Sequence, residues 1–119
     1  MNKRLIVCCV LLAGLLGACA PPTLYKWGAY DQALYNYYQD PEAIEALVEA
    51  IEANIQDAEK TKQVPPGMYA EYGFLLMTKN QNQDAIVYFN KEKTSWPEST
   101  ILMTKMIATA QANDKRQQR

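Results

Sequence analysis

Histidine is absent from this sequence, and its three cysteines, Cys8, Cys9 and Cys19, all lie within the first nineteen residues. Without histidine the chain lacks the commonest general base and the commonest metal ligand. Residues 20–119 also lack any thiol for a disulfide, a metal site or a nucleophile. We therefore expect a non-enzymatic protein with no catalytic residue, no cofactor and no metal.

Positive charge is not in excess either, because 12 Lys and Arg stand against 13 Asp and Glu. No broad basic field is available to recruit nucleic acid, so we expect no nucleic-acid partner. Aromatic residues are plentiful by contrast, with eight tyrosines, two tryptophans and two phenylalanines. Such rings either fill a core or anchor a protein interface.

The most continuous apolar run, at 5–16, is too short for a bilayer core of ~30 Å, which needs roughly 20 apolar residues. Lys3 and Arg4 precede this run, and small residues follow it. A positive start, a short apolar core and small residues before a cleavage site are typical of a secretory signal. The sequence therefore predicts a signal peptide at 1–18.

Residues 16–19 read Leu-Gly-Ala-Cys and resemble the bacterial lipoprotein box. The resemblance implies cleavage before Cys19 and three acyl chains on the new N-terminus. It also implies anchoring at the periplasmic face of the outer membrane, because Ala20 replaces the Asp that favours inner-membrane retention. Residues 19–26 would then be a lipidated N-terminus and linker. The alternative is an ordinary signal peptide with an incidental cysteine.

Apolar spacing and proline positions predict an all-α domain at 27–112, followed by a frayed polar tail at 113–119. The clearest helix is the second, in which Ile44, Leu47 and Ile51 follow the 3.6-residue period. Short turns between helices favour antiparallel neighbours. Five helices are predicted, at about 27–39, 41–61, 67–79, 83–94 and 98–112.

Residues 66–99 resemble one tetratricopeptide repeat, a helix pair of about 34 residues. Gly73 and Ala85 provide the small side chains expected where two helices cross closely. Phe89 would fill the space between the helices, and Pro97 would end the second one. The resemblance implies a tetratricopeptide-like bundle.

Residues 28–37 resemble the second helix of another repeat, although no first helix precedes Trp27. Glu92 departs from the pattern, because a small residue is usual at its position. One and a half units are fewer than the roughly three repeats that a solenoid needs. We therefore predict a small bundle, and a generic α-bundle with chance matches is the alternative.

Segments 25–28, 30–35 and 72–76 together with the lipoprotein box carry a further likeness over nearly the whole chain. They are similar to an uncharacterised family of short proteobacterial lipoproteins. That family implies a gene beside one for a lipoprotein resembling the curli secretion pore. It thus implies such a lipoprotein as a partner, and a role in envelope assembly or secretion.

Two candidate partner-binding surfaces follow. By analogy with the repeat, the first helix of the pair lines a peptide groove with Ala70, Phe74, Met77 and Thr78. The alternative, which so few repeats favour, places Phe74 and Met77 in the core. The second candidate is the aromatic-rich helix at 27–39, which carries too many rings for one buried stripe, so we expect Tyr35 and Tyr38 to point outward. These two tyrosines complete the candidate set.

Charged clusters are weaker candidates. The four glutamates of the second helix are expected to form a solvated face, and the basic C-terminal residues could touch anionic head groups. They are Glu42, Glu45, Glu49 and Glu52, and Lys115, Arg116 and Arg119.

The sequence thus favours an accessory subunit of an envelope complex that holds a protein partner without catalysis. The alternative is a pilotin-like chaperone that binds a segment of an outer-membrane secretin. A groove clear of the core would favour the chaperone, and a broad exposed aromatic face would favour the subunit. A purely structural spacer would expose no conspicuous apolar patch.

Overall fold

The computed structural model describes residues 23–119, which form five α-helices and no strand. The all-α prediction of about five helices is therefore confirmed. The predicted signal peptide and Cys19 lie outside the described residues. The helices are α1 (Tyr30–Gln39), α2 (Ile44–Thr61), α3 (Met68–Thr78), α4 (Asn82–Ser95) and α5 (Thr100–Gln117).

The turns between the helices have local causes. The Glu42 N–H donates a hydrogen bond to the Asp40 carboxylate at 3.0 Å, and Pro41 starts the short 3₁₀ turn that leads into α2. α2 is followed by Lys62 in the left-handed conformation, with φ of 57°. α3 is preceded by Gly67 with φ of 86°, a conformation that glycine adopts at no steric cost.

The helices pack in chain order, α1 on α2, α2 on α3, α3 on α4 and α4 on α5, and the last two contacts are the most extensive. Within residues 23–119, α1 and α5 are thus the two ends of the array. The core lies along α3, which buries side chains around most of its circumference. Its buried residues are Met68, Tyr69, Tyr72, Gly73, Leu75 and Leu76.

The crossing of α3 and α4 is close because small residues meet there. A Cβ added to Gly73 would lie 2.7 Å from Cε1 of Phe89 and 3.2 Å from the Ala85 carbonyl oxygen. Phe89 and Ala85 are themselves fully buried. The structure therefore has the tight helix crossing that the repeat resemblance implies at these three positions.

Two boundaries differ from the prediction. α5 continues to Gln117 instead of fraying after 112, because the Gln117 side chain donates to Asn80 at 2.8 Å and Gln83 donates to Asp114 at 2.5 Å. At the other end, the last part of the predicted linker is docked. The Lys26 N–H donates to a carbonyl of the loop after α2 at 3.0 Å.

Candidate protein-interaction site

One stripe of α3 stays open although the rest of the helix is enclosed. Phe74 lies on this stripe and is 48 % exposed. Ala70 and Met77 flank it half-buried against the core, and Thr78 is exposed at the end of the helix. The expectation that Phe74 is a core residue is therefore wrong, whereas Met77 does contact the core.

The start of α3 is held by a buried carboxylate from α4. The Gly67 N–H donates to Oε1 of Glu92 at 2.8 Å, and the amides of Ala70 and Tyr69 also act on this carboxylate. Glu92 is buried, and burial raises the pKa of its carboxyl, although the backbone amides oppose the shift. Glu92 thus serves as an acceptor for the free N–H groups of α3, which explains its departure from the repeat pattern.

α1 is fixed beside α3 by a hydrogen bond between their side chains. The Tyr30 hydroxyl donates to Oε2 of Glu71 at 2.7 Å. Burial is the main cause that raises the pKa of Tyr30 well above its usual value, and this hydrogen bond to a carboxylate raises it further. The bond links the side of α1 that carries Tyr30 to α3.

The outward side of α1 carries Tyr35, which is 59 % exposed, and Tyr38, which is 76 % exposed. Tyr37 and Leu34 on the same helix pack against the core instead. The tyrosine-rich helix is therefore divided into a packed side and an open side. The structure places Tyr35 and Tyr38 on the open side, and their role in binding stays a prediction.

A polar cluster that no sequence pattern indicated joins α2, α3 and α4. Oε1 of Glu59 accepts hydrogen bonds from the Tyr69 hydroxyl at 2.9 Å and from Lys91 Nζ at 2.8 Å. The Lys91 ammonium also lies 5.0 Å from the centre of the Tyr88 ring. The bond from Lys91 lowers the pKa of Glu59. Since its members come from three helices with no shared spacing, the cluster cannot be found by periodicity.

A groove between α2 and α4 adjoins this cluster, because Tyr88 lies beside Lys91 and also lines the groove. The groove has a volume of about 510 Å³, and Val48, Glu52 and Tyr72 lie on its walls. Burial and the nearby Glu52 raise the pKa of Tyr72 to about 12. The exposed Val87 lines both this groove and a separate, more open depression farther along α4. The groove is therefore a mixed surface of aromatic, apolar and acidic groups.

A second depression lies between the N-terminal segment 23–29 and α2, with a volume of about 500 Å³. Lys26 closes one edge through an ion pair with Asp57 at 2.9 Å. The buried Asn54 side chain lies under Gly28, and its amide has no hydrogen-bond partner in the described part of the chain. The docked segment thus covers a polar group that it does not satisfy.

The four glutamates expected to form a solvated face are only partly solvated. Glu42, in the turn before α2, and Glu49 are exposed, Glu45 pairs with Lys79 at 2.6 Å, and Glu52 is half-buried on the wall of the groove. Within residues 23–119, no group of three or more acidic, histidine or cysteine side chains is placed to hold a metal ion. No helix in this part of the chain is both long enough and apolar enough to cross a membrane.

A family model described as a domain of unknown function, DUF4810, matches residues 24–106. The chain belongs to the DUF4810 family. The match spans α1 to α4 and the first turns of α5, so it includes both the Phe74 stripe and the open side of α1. No curated protein and no solved structure matches this DUF4810 chain.

Proposed function

We propose that this DUF4810 protein is an outer-membrane-anchored periplasmic lipoprotein that holds a protein partner without catalysis. Its role would be that of an accessory subunit in an envelope assembly or secretion complex, beside a secretion-pore-like lipoprotein. The observation that carries the proposal is the exposure of Tyr35, Tyr38 and Phe74. The other aromatic side chains on the helices are buried or packed against the core.

Exposed rings of this kind have a physical cost that binding removes. Covering apolar surface releases about 25 cal/mol per Å², and Tyr is among the residues that most often dominate interface energies. Phe74 projects from the most enclosed helix, so its backbone is fixed before a partner arrives. A preordered anchor loses little conformational entropy on binding.

The anchor would keep this surface close to the membrane. The first backbone hydrogen bond from the N-terminal segment to the rest of the domain is made by Lys26, seven residues after Cys19. An extended chain spans at most ~3.6 Å per residue, so this connection reaches about 25 Å. A lipid on Cys19 would therefore present the domain directly beside membrane-embedded partners, as an accessory subunit requires.

The alternative is a pilotin-like chaperone for a segment of an outer-membrane secretin. The groove between α2 and α4 favours it, because Val87 and Tyr88 offer apolar surface along its wall. A short amphipathic helix is the kind of ligand that such grooves accept. This alternative predicts contacts at Val87 rather than at Phe74.

Photocrosslinking in native membranes tests both versions. We expect a photoreactive residue in place of Phe74 to give one discrete adduct with another envelope protein, identified by mass spectrometry. The matched control is the same residue in place of Gln56, which is exposed on α2. An adduct from position 87 alone would favour the chaperone. Nonspecific adducts of equal intensity from positions 56, 74 and 87 would refute an interaction module.

The anchor is tested separately. We expect the N-terminal peptide from mature protein to carry three acyl chains on Cys19, and Cys19→Ser to remove the protein from the membrane fraction. An unmodified thiol on membrane-free protein would contradict the lipoprotein proposal.

A further inference from the structure

The two ends of the helix array present different surfaces. α5 packs on α4 and buries only Met103 and Ala110. At the other end, α1 packs on α2 and has no fully buried residue. Each terminal helix therefore has a wide outward side that no other described element covers.

The outward side of α5 carries apolar side chains at the start of the helix and small side chains farther along it. Ile101 is 75 % exposed and Leu102 is 58 % exposed. Lys105, Ala108 and Ala112 follow on the same side at helical spacing and are also exposed. The two alanines leave room for another helix to approach closely, and the first turn provides the apolar contact.

The outward side of α1 has complementary properties. Asp31, Tyr35 and Tyr38 are exposed and lie on one side at i, i+4 and i+7. The two rings are large and rigid, which suits them to a surface of isoleucine, leucine and alanine.

The charges of the two ends are opposite. The span 30–42 has three acidic residues and no base, a charge of −3, whereas 100–119 has four bases and one acid, which is 4 − 1 = +3. Like ends therefore repel each other and unlike ends attract. The charged residues are Asp31, Asp40 and Glu42 at one end, and Lys105, Lys115, Arg116, Arg119 and Asp114 at the other.

We propose that α5 of one copy packs against α1 of a second copy, so that the protein associates head to tail. The inference identifies a second copy of the chain as the partner of the outward side of α1, which carries Tyr35 and Tyr38. It rests on the proposed function only because both treat this side of α1 as a binding surface. It leaves Phe74 available for a different protein. Because such a contact uses two different surfaces, it propagates into a ring or an open chain rather than stopping at a symmetric dimer.

Cysteine crosslinking of the full-length protein in detergent tests the orientation. Residues 23–119 contain no cysteine, so Gln39→Cys on α1 and Ala108→Cys on α5 introduce one exposed thiol at each end. We expect a disulfide-linked dimer when the two variants are mixed, and little when either is oxidised alone. The unsubstituted chain measures the background from its own cysteines. Dimers from either variant alone, or no excess in the mixture, would overturn the proposal.

Charge reversal provides a second measurement that does not depend on a thiol. Lys105→Glu with Arg116→Glu should weaken self-association about tenfold, measured by sedimentation, and Asp31→Lys should restore part of it. The double variant could instead lose binding to phosphatidylglycerol vesicles while the mass of its assembly in sedimentation stays unchanged. In that case the basic surface binds lipid and the proposal fails.

The outcomes also separate this inference from the proposed function. Loss of crosslinks between α1 and α5, with the adduct from position 74 retained, would remove head-to-tail association and leave the interaction module intact. Head-to-tail dimers without any foreign adduct would support self-association and argue against an accessory subunit.

Discussion

At the scale of single residues, Glu92 shows how a local need can override a repeat pattern. α3 is preceded by Gly67 in the left-handed conformation, and the first amides of the helix have no partner within it. Glu92 reaches these amides from α4 and accepts the Gly67 N–H. The small residue usual at this position could not do so, and the carboxylate is tolerated because it is hydrogen-bonded.

We predict that Glu92→Gln increases stability at neutral pH relative to the unsubstituted protein. The folded protein raises the pKa of Glu92, so ionisation costs stability as the pH rises through and above the ordinary glutamate value of about 4.3. Glutamine keeps an acceptor for Gly67 without this cost. The gain in free energy of unfolding should therefore shrink between pH 7 and pH 4, as measured by urea denaturation.

Glu92→Ala provides the opposite control, because it leaves the α3 amides without an acceptor and should cost about 1–3 kcal/mol. Glu49→Gln, on the exposed face of α2, controls for the loss of one negative charge. A stability difference for Glu92→Gln that stays constant with pH would contradict the assignment.

We also predict that Gly73→Ala destabilises the protein by about 1–3 kcal/mol through overpacking. The added methyl group would lie 2.7 Å from the Phe89 ring, and the Ala85 backbone blocks retreat on the other side. Phe89→Leu in the same chain should recover part of the loss, since leucine vacates that space. Thermal unfolding of both single variants and the double variant measures the coupling, and strict additivity would refute it.

At the scale of helices, the sequence predicted the existence of each element better than its ends. α2 was predictable because its apolar residues keep one period over four turns. The end of α5 was not predictable, because 113–117 is polar and its helical state depends on hydrogen bonds with Asn80 and Gln83, which belong to another part of the array. The start of α1 at Tyr30, rather than at the predicted residue 27, has a local cause: a turn in which Gly28 has φ of 53° and the Tyr30 N–H donates to the Trp27 carbonyl.

The attachment of α1 combines the packing of Leu34 and Tyr37 with one hydrogen bond, which can be removed without changing that packing. We predict that Tyr30→Phe costs about 1 kcal/mol, because it deletes the hydroxyl that donates to Glu71. Hydrogen exchange should become faster across α1 while the amides of α4 keep their protection. Tyr35→Phe is the matched control, since Tyr35 is exposed and should change neither region. Equal loosening of α1 and α4 would contradict a local role.

At the scale of the whole molecule, the candidate surfaces differ in how far the sequence could reveal them. Tyr35 and Tyr38 were foreseeable, because the five aromatic residues in the predicted helix 27–39 exceed what a single buried stripe can hold. Phe74 was ambiguous, because its exposure depends on where α1 and α5 lie. The cluster of Glu59, Tyr69 and Lys91 left no signal, since only the fold brings three helices together.

The last prediction separates binding from folding at Phe74. Because the Phe74 ring is about half exposed, we expect Phe74→Ala to lower the free energy of unfolding by about 1 kcal/mol. Removal of a buried phenylalanine typically costs about 3–5 kcal/mol. If the ring is a binding anchor, the same change should reduce recovery of the crosslinked partner about tenfold or more. Val87→Ala removes a comparably exposed apolar side chain from α4 and should leave recovery unchanged. Denaturation and quantitative co-purification on the same variants give the two readouts. A large loss of stability with unchanged partner recovery would make Phe74 a packing residue and remove the surface on which the interaction module depends.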